Sequence, residues 1–364
     1  MTRTDGKMIR QTDRQTDRRI DSIDMCRGIC ILLMILGHQF QRNELDRFMQ
    51  IIYSFHMPMM FIISGYFIRT TTCIKDFIRR RAERLLLPYA FCCMVMTIAE
   101  SLLELRKKNI MIVIKRFVRD VFVSLYGSGN GSGSYFYIKN KMWGTGDEIG
   151  MLWFLLALFW GSIIVKILAS KRNGFFISII ISVLGVLSSK IVLLPFSIQN
   201  GVACTGWIYL GYEIRKQNLM CKINGLGFKS LYLFMGVIWA ISALYGCTNL
   251  YENYYKLGII DVLGAVCGCW IMYVVVANFT LRCKKMKVAL TWLGFNTMGI
   301  YAMHFWENRI CPLSVVLGKI IHISMSPFVT ALISWIIVVI FAVFGTWVMG
   351  RITLCRRILA INES

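Results

Sequence analysis

The sequence predicts an all-α fold: a polytopic integral membrane helix bundle of about ten transmembrane helices, with both termini in the cytoplasm. Three observations predict it. Hydrophobic residues make up 57% of the 364 residues and charged residues only 16%, a balance suited to lipid. The apolar residues gather into runs close to the ~20 residues that cross a bilayer as a helix. The basic residues fall between those runs, mostly on alternate sides, as the positive-inside rule requires. The formal net charge of +22 is therefore spread as topology signals rather than gathered into a patch, and no nucleic-acid partner is expected. The 13 cysteines show no C-x-x-C spacing and no Cys/His cluster of zinc-site type, so no metal is expected.

Residues 1–20 are polar, carry the near-repeat TDRQTDRR, and read as a disordered cytoplasmic tail. The membrane domain covers 21–350, and 351–364 form a second cytoplasmic tail. The first span, 23–40, is cleanly apolar only from Cys30 to Gly37. It crosses a bilayer only if Asp24, Arg27 and His38 are counted in. Spans two to four cover 48–68, 85–105 and 151–168. The fifth and sixth, 175–194 and 196–214, are split by Pro195, which forces a tight connection. The last four are 230–247, 257–279, 288–306 and 327–349. Lys/Arg clusters follow spans two, four, six and eight, and Arg351, Arg356 and Arg357 close the chain, which places both termini inside. Segment 106–150 falls outside yet carries eight Lys or Arg. Its residues 109–125 predict an amphipathic helix lying on the membrane. The stretch YGSGNGSGSYFY that follows reads as a flexible connector.

The charged residues of the first span share a stripe. Arg27 and His38 are three helical turns apart, about 16 Å along the axis, and Asp24 is one turn before Arg27. They line one tunnel, or else Asp24 and Arg27 are interfacial anchors and His38 is a satisfied polar residue. His56 precedes Pro58 in the second span, at a depth like that of His38. It shares a cavity with His38 or satisfies backbone groups freed by the proline. Ser64 and Gly65 follow in the same span. Arg81 and Arg84 share a helix face at i, i+3. Two guanidinium groups so placed suit a phosphate or pyrophosphate, although a cytoplasmic basic cluster is also an ordinary topology signal. Trp153 is expected in the outer aromatic belt. His304 adds a third histidine near the outer end of the ninth span, and His322 is expected in solvent.

Taken together, these pieces resemble the acyltransferase 3 family of integral membrane acyltransferases, which includes sugar O-acetyltransferases. The resemblance rests on Ile23-Asp24-x-x-Arg27-Gly28 with His38 (R-x10-H), on FHMPMMFIISGYF, and on Arg81-x-x-Arg84-Leu85 to Pro88-Tyr89. LWFLLAL at 152–158, YLGYEI at 209–214 and IYAMH at 300–304 match less specifically. It implies acyl transfer, by default acetyl, from cytoplasmic acyl-CoA to a sugar hydroxyl of a cell-surface glycan such as an exopolysaccharide, or of its lipid-linked precursor. Acetyl-CoA is then a donor substrate, with no permanently bound cofactor. The chain would sit among membrane lipid as a multi-pass protein of a bacterial inner membrane. The resemblance further implies that His38 is essential, with Arg27 as its motif partner, and that Arg81 and Arg84 contact CoA.

The chemistry of the residues agrees. A sugar hydroxyl needs a base as it attacks a thioester, and neutral imidazole is suited to that. His38 is the expected base, with Asp24 balancing Arg27 and with His56, Ser64 or His304 available to position the acceptor. Two other classes compete at this point. A glycan polymerase or ligase would use 106–150 as an arginine-bearing outer loop, and a transporter would show paired broken helices.

Overall fold

The computed structural model describes residues 3–43, 45–106, 109–127, 136–138, 141–143, 149–191, 194–219, 229–280, 283–310, 313 and 326–362. The chain is helical apart from two short hairpins among these residues. Helix α1 (Arg3–Arg42) runs without a break through the first span. It begins within the segment read from sequence as a disordered tail, because adding residues to a helix already nucleated is easy. The second span is broken into α2 (Asp46–Tyr53) and α3 (His56–Tyr66), with Ser54 and Phe55 between them. Next, α4 (Ile74–Arg81), a π-helical turn (Ala82–Leu86) and α5 (Leu87–Leu105) form one long rod.

Helix α6 (Ile110–Tyr126) is capped by the Asn109 side chain, which accepts from the Met111 amide, and ends at Gly127 with φ 62°. It does not lie apart on a membrane surface. It runs back antiparallel along α5: Arg116 pairs with Glu100 and Glu104, and the Tyr89 hydroxyl donates to the Ser124 carbonyl at 2.6 Å. Its polar Asp120 is buried inward, whereas Ile110, Met111, Ile114, Val118 and Phe122 are exposed. An apolar outer face of this kind suits lipid. The glycine-rich connector lies mostly outside the described residues. Its end pairs as β1 (Phe136–Ile138) with β2 (Lys141–Trp143).

Then come α7 (Trp153–Leu168), α8 (Gly174–Ser188), α9 (Ile198–Ala203) and α10 (Thr205–Lys216). After α11 (Lys229–Tyr245), a hairpin of β3 (Thr248–Asn249) and β4 (Tyr254–Tyr255) leads to α12 (Ile259–Thr280). The chain closes with α13 (Lys284–Phe295), α14 (Thr297–Ile310), α15 (Pro327–Arg351) and α16 (Thr353–Ile358).

Among the described residues, six stretches are long and apolar enough to cross a membrane: Asp21–Gln41, Asp46–Tyr66, Ile74–Leu105, Gly150–Leu168, Ile259–Asn278 and Pro327–Arg351. The other four expected spans are shorter or broken. The 15 residues of α8 rise only about 22 Å, less than a hydrocarbon core of about 30 Å. The sixth is interrupted between α9 and α10, and the ninth at Asn296. The C-terminal segment is not a free tail. Cys355, Leu359 and Ile361 are buried, and the Asn362 amide donates to Asn296 Oδ1 at 2.9 Å.

Helix α1 is the hub of the bundle, packing against α2, α3, α12, α13, α14 and α15. Two glycine pairs set its neighbourhood. A Cβ on Gly28 would collide with the Leu290 carbonyl, and one on Gly294 with the Asp24 carbonyl, which locks α1 to α13. Gly65 and Gly211 do the same for α3 and α10, each abutting a carbonyl of the other helix.

Candidate functional site

Helix α1 presents both ends of its polar stripe to one cavity of about 610 Å³, within the usual range for small-molecule sites. Arg27 and His38 both line it, along with Tyr53 and His56 from the broken second span, Ser64 from α3 and Tyr301 from α14. Near Arg27, Asp24 is buried and ion-paired with it at 3.4 Å. The Arg27 guanidinium also lies over the Phe67 ring, 5.3 Å from its centroid. Removing either charge would strand the other.

At the far end of the stripe, three histidines and a tyrosine form a continuous group. The His38 ring lies 5.5 Å from His304 and 6.4 Å from Tyr53, and Tyr53 lies 4.8 Å from His56, centroid to centroid. The break between α2 and α3 makes this possible. The Ile52 carbonyl accepts from His56 Nδ1 at 2.9 Å. A carbonyl can only accept, so Nδ1 carries a proton and Nε2 is the lone-pair nitrogen of the neutral ring. His56 therefore does both things its position allowed: it satisfies a carbonyl at the helix break and it faces the cavity. His304 is fully buried, with Nδ1 3.4 Å from the equally buried Glu307 carboxylate. It does not line the cavity, and packs instead against His38.

The family model described as "Acyltransferase domain", acyltransferase 3, matches residues 20–351. The chain belongs to the acyltransferase 3 family. Proteins of this family are membrane-embedded acyltransferases, which favours that reading over the polymerase and the transporter. Two relatives are nodulation proteins NolL. That of Sinorhizobium fredii is 26% identical over 239 residues, 61% of this chain and 56% of that protein. That of Mesorhizobium japonicum is 28% identical over 166 residues, 43% of this chain and 37% of that protein. The chain thus spans about half or less of the length of these relatives. No solved structure matches it.

The second motif of this acyltransferase is divided. Arg81 is half-buried, donates to Ser64 Oγ at 3.3 Å and lies 5.3 Å from the centroid of the Phe77 ring. Arg84 is exposed. The π-helical turn begins at Ala82, and its wider i→i+5 ring changes the angular offset between the two residues. Arg81 is thus engaged by the bundle, while Arg84 is open to solvent. Through Ser64, Arg81 reaches the cavity wall that also carries His56. Trp153 is not an interfacial belt residue. It is buried, lines the cavity and packs edge-on against Tyr251, 5.8 Å between centroids. His322 lies outside the described residues.

Sequence reasoning missed Tyr53, Tyr301, Glu307 and the hairpin residues 247–252, all now at or behind the cavity. Only Glu307 carried a signal, as an acidic residue one turn after His304 in an apolar helix.

Proposed function

We propose that this acyltransferase moves an acyl group, acetyl by default, from acyl-CoA to a hydroxyl of a sugar in a cell-surface glycan or its lipid-linked precursor. The observation that carries the reading is the joint exposure of Arg27 and His38 to one cavity, about 16 Å apart on one unbroken helix. That separation suits a long donor with anionic phosphates at one end and a thioester at the other. Arg27, with Arg81 and exposed Arg84 toward the cytoplasm, orients the phosphates through charge-assisted hydrogen bonds. His38 takes the proton of the acceptor hydroxyl as its oxygen attacks the thioester carbonyl. The tetrahedral oxyanion then collapses, the carbon–sulfur bond breaks, and the proton on His38 passes to the leaving thiolate. The Tyr53 hydroxyl is placed to donate to the oxyanion, and the His56 Nε2 lone pair to accept from a hydroxyl of the acceptor. Ser64 positions Arg81, and His304 with Glu307 braces the His38 ring. The basic loops support ten crossings with both termini in the cytoplasm of a bacterial inner membrane.

The test is transfer of labelled acetyl from acetyl-CoA in membranes carrying the wild type, His38→Ala, or Arg81→Ala with Arg84→Ala. Label is followed into lipid-linked and polymeric glycans. The wild type labels one of these pools, and His38→Ala loses at least about 10²-fold. Full labelling by His38→Ala would remove the base assignment. No labelling above empty membranes would remove the acetyl-CoA reading.

A further inference from the structure

A second wall of the cavity is made by the hairpin between α11 and α12, whose residues 247–252 line it. This wall is pre-formed. Buried Asp261 accepts from the Ser242 hydroxyl at 2.9 Å and from the amides of Cys247 and Leu257 at 3.3 and 2.7 Å. Asn200 Nδ2 donates to the carbonyls of Leu250 and Tyr251 at 3.0 and 2.8 Å. Trp207 Nε1 donates to the Tyr255 hydroxyl at 3.1 Å. Strand β3 packs against α2, the helix that brings Tyr53 to His38.

The surface this wall shows to the cavity has a definite chemistry. Thr248 lines the cavity and is 5% exposed, yet its hydroxyl has no hydrogen-bond partner among the described residues. A buried hydroxyl left this way favours a ligand that completes its bonding. Glu252 adds an exposed, acceptor-only carboxylate that can accept hydrogen bonds from two neighbouring hydroxyls. Tyr251 and Trp153, packed edge to face, add flat apolar surface with polar edges. The cavity is therefore polarised, with a cation at Arg27 and an anion at Glu252. A polyanionic donor is repelled from the hairpin, whereas an uncharged polyol is not.

We infer that the hairpin is the acceptor subsite, binding a pyranose whose apolar face lies on Trp153 and Tyr251 and whose hydroxyls bond to Glu252 and Thr248. The inference rests on the proposed acyl transfer to a sugar hydroxyl and assigns that acceptor a place. The test uses the full-length protein in lipid nanodiscs with methyl glycosides of glucose, galactose, mannose and fucose as probes. Binding is read by saturation-transfer NMR, and turnover by labelled acetyl-CoA. Glu252→Gln and Thr248→Val each weaken glycoside binding and raise the acceptor KM about tenfold or more, while the KM for acetyl-CoA stays unchanged. Glycoside binding within twofold of wild type in both variants overturns the subsite, as does a wild type that binds none of the four. Binding that weakens in the variants without any acetyl transfer by the wild type upholds the subsite and refutes the donor reading instead.

Discussion

The packing of α3 against α10 gives the sharpest test of how the bundle holds its cavity. A methyl group on Gly65 would fall on the Ile208 carbonyl oxygen, and one on Gly211 on the Ile62 carbonyl oxygen, both far inside the 3.0 Å that real Cβ atoms keep. The obstacles are backbone atoms, so no side chain can swing aside, and the two helices must part by more than an ångström. Overpacking of this kind costs about 1–3 kcal/mol. Helix α3 also carries His56 and Ser64 to the cavity, and a displacement of about 1 Å at a reacting group can cost about 10²-fold in rate. Gly65→Ala should therefore lower the melting temperature of the detergent-solubilised protein and reduce acyl transfer. Gly211→Ala should do the same. Either substitution forces the same separation, so the double variant should cost clearly less than the sum of the two. Gly236→Ala is the control, because a Cβ there meets nothing within 4 Å and the added methyl group favours the helix. If Gly65→Ala matched Gly236→Ala in melting temperature and activity, the close-approach argument would fail.

Other substitutions probe separate parts of the molecule. Asp24→Asn strands Arg27 in a partly dry site. The cost should lie near the lower end of the ~3–5 kcal/mol for breaking a buried pair, since Arg27 keeps 26% side-chain exposure; thermal unfolding reads it. Arg116→Ala removes the cation that ties α6 to Glu100 and Glu104, leaving Glu100 with Arg309, and should loosen α6 from α5, seen as faster protease cleavage between 106 and 127. Asp261→Ala releases two backbone amides and a hydroxyl at once, at about 1–3 kcal/mol for each buried group left unpaired. It should speed backbone amide exchange across the 247–257 hairpin while α1 stays protected. Glu307→Gln keeps the shape behind His304 but removes its charge. It should reduce kcat with little change in the KM for acetyl-CoA, and unchanged kcat would end its bracing role.

The polar stripe of α1 was legible because an ionisable residue inside an apolar run stands out, and helical spacing fixes which such residues share a face. The same logic reached His56, since Pro58 marks a break and a break frees carbonyls. It did not foresee that Arg81 bonds to Ser64 while Arg84 stays exposed, and nothing in the residues from Ala82 to Leu86 announces a π-turn. It failed at Trp153, where an aromatic residue at a span end is usually interfacial, because Phe61 and Tyr251 arrive from distant segments to pack against it. Span lengths were read from apolar runs, but α8, α10 and α14 end where loops and helix breaks intervene. Helix α6 was recognised as amphipathic, yet its orientation depended on Glu100 and Glu104, whose partners lie across a turn that periodicity does not describe.

The hub position of α1 has a consequence for how the protein is made. Its polar residues enter the membrane first, yet the groups that shelter them come late. Gly294 closes on the Asp24 backbone, His304 packs against His38, and the Trp335 indole donates to the Leu32 carbonyl. Asp24 and Phe67 reach Arg27 early, but during synthesis α1 must wait in the bilayer, or beside the insertion machinery, with His38 lacking its His304 neighbour until most of the chain has followed. A chain cut short before α13 would keep every residue of the first motif and still lack the cavity wall that α13 and α14 supply, Tyr301 included. The cavity is thus completed only when most of the chain has been inserted.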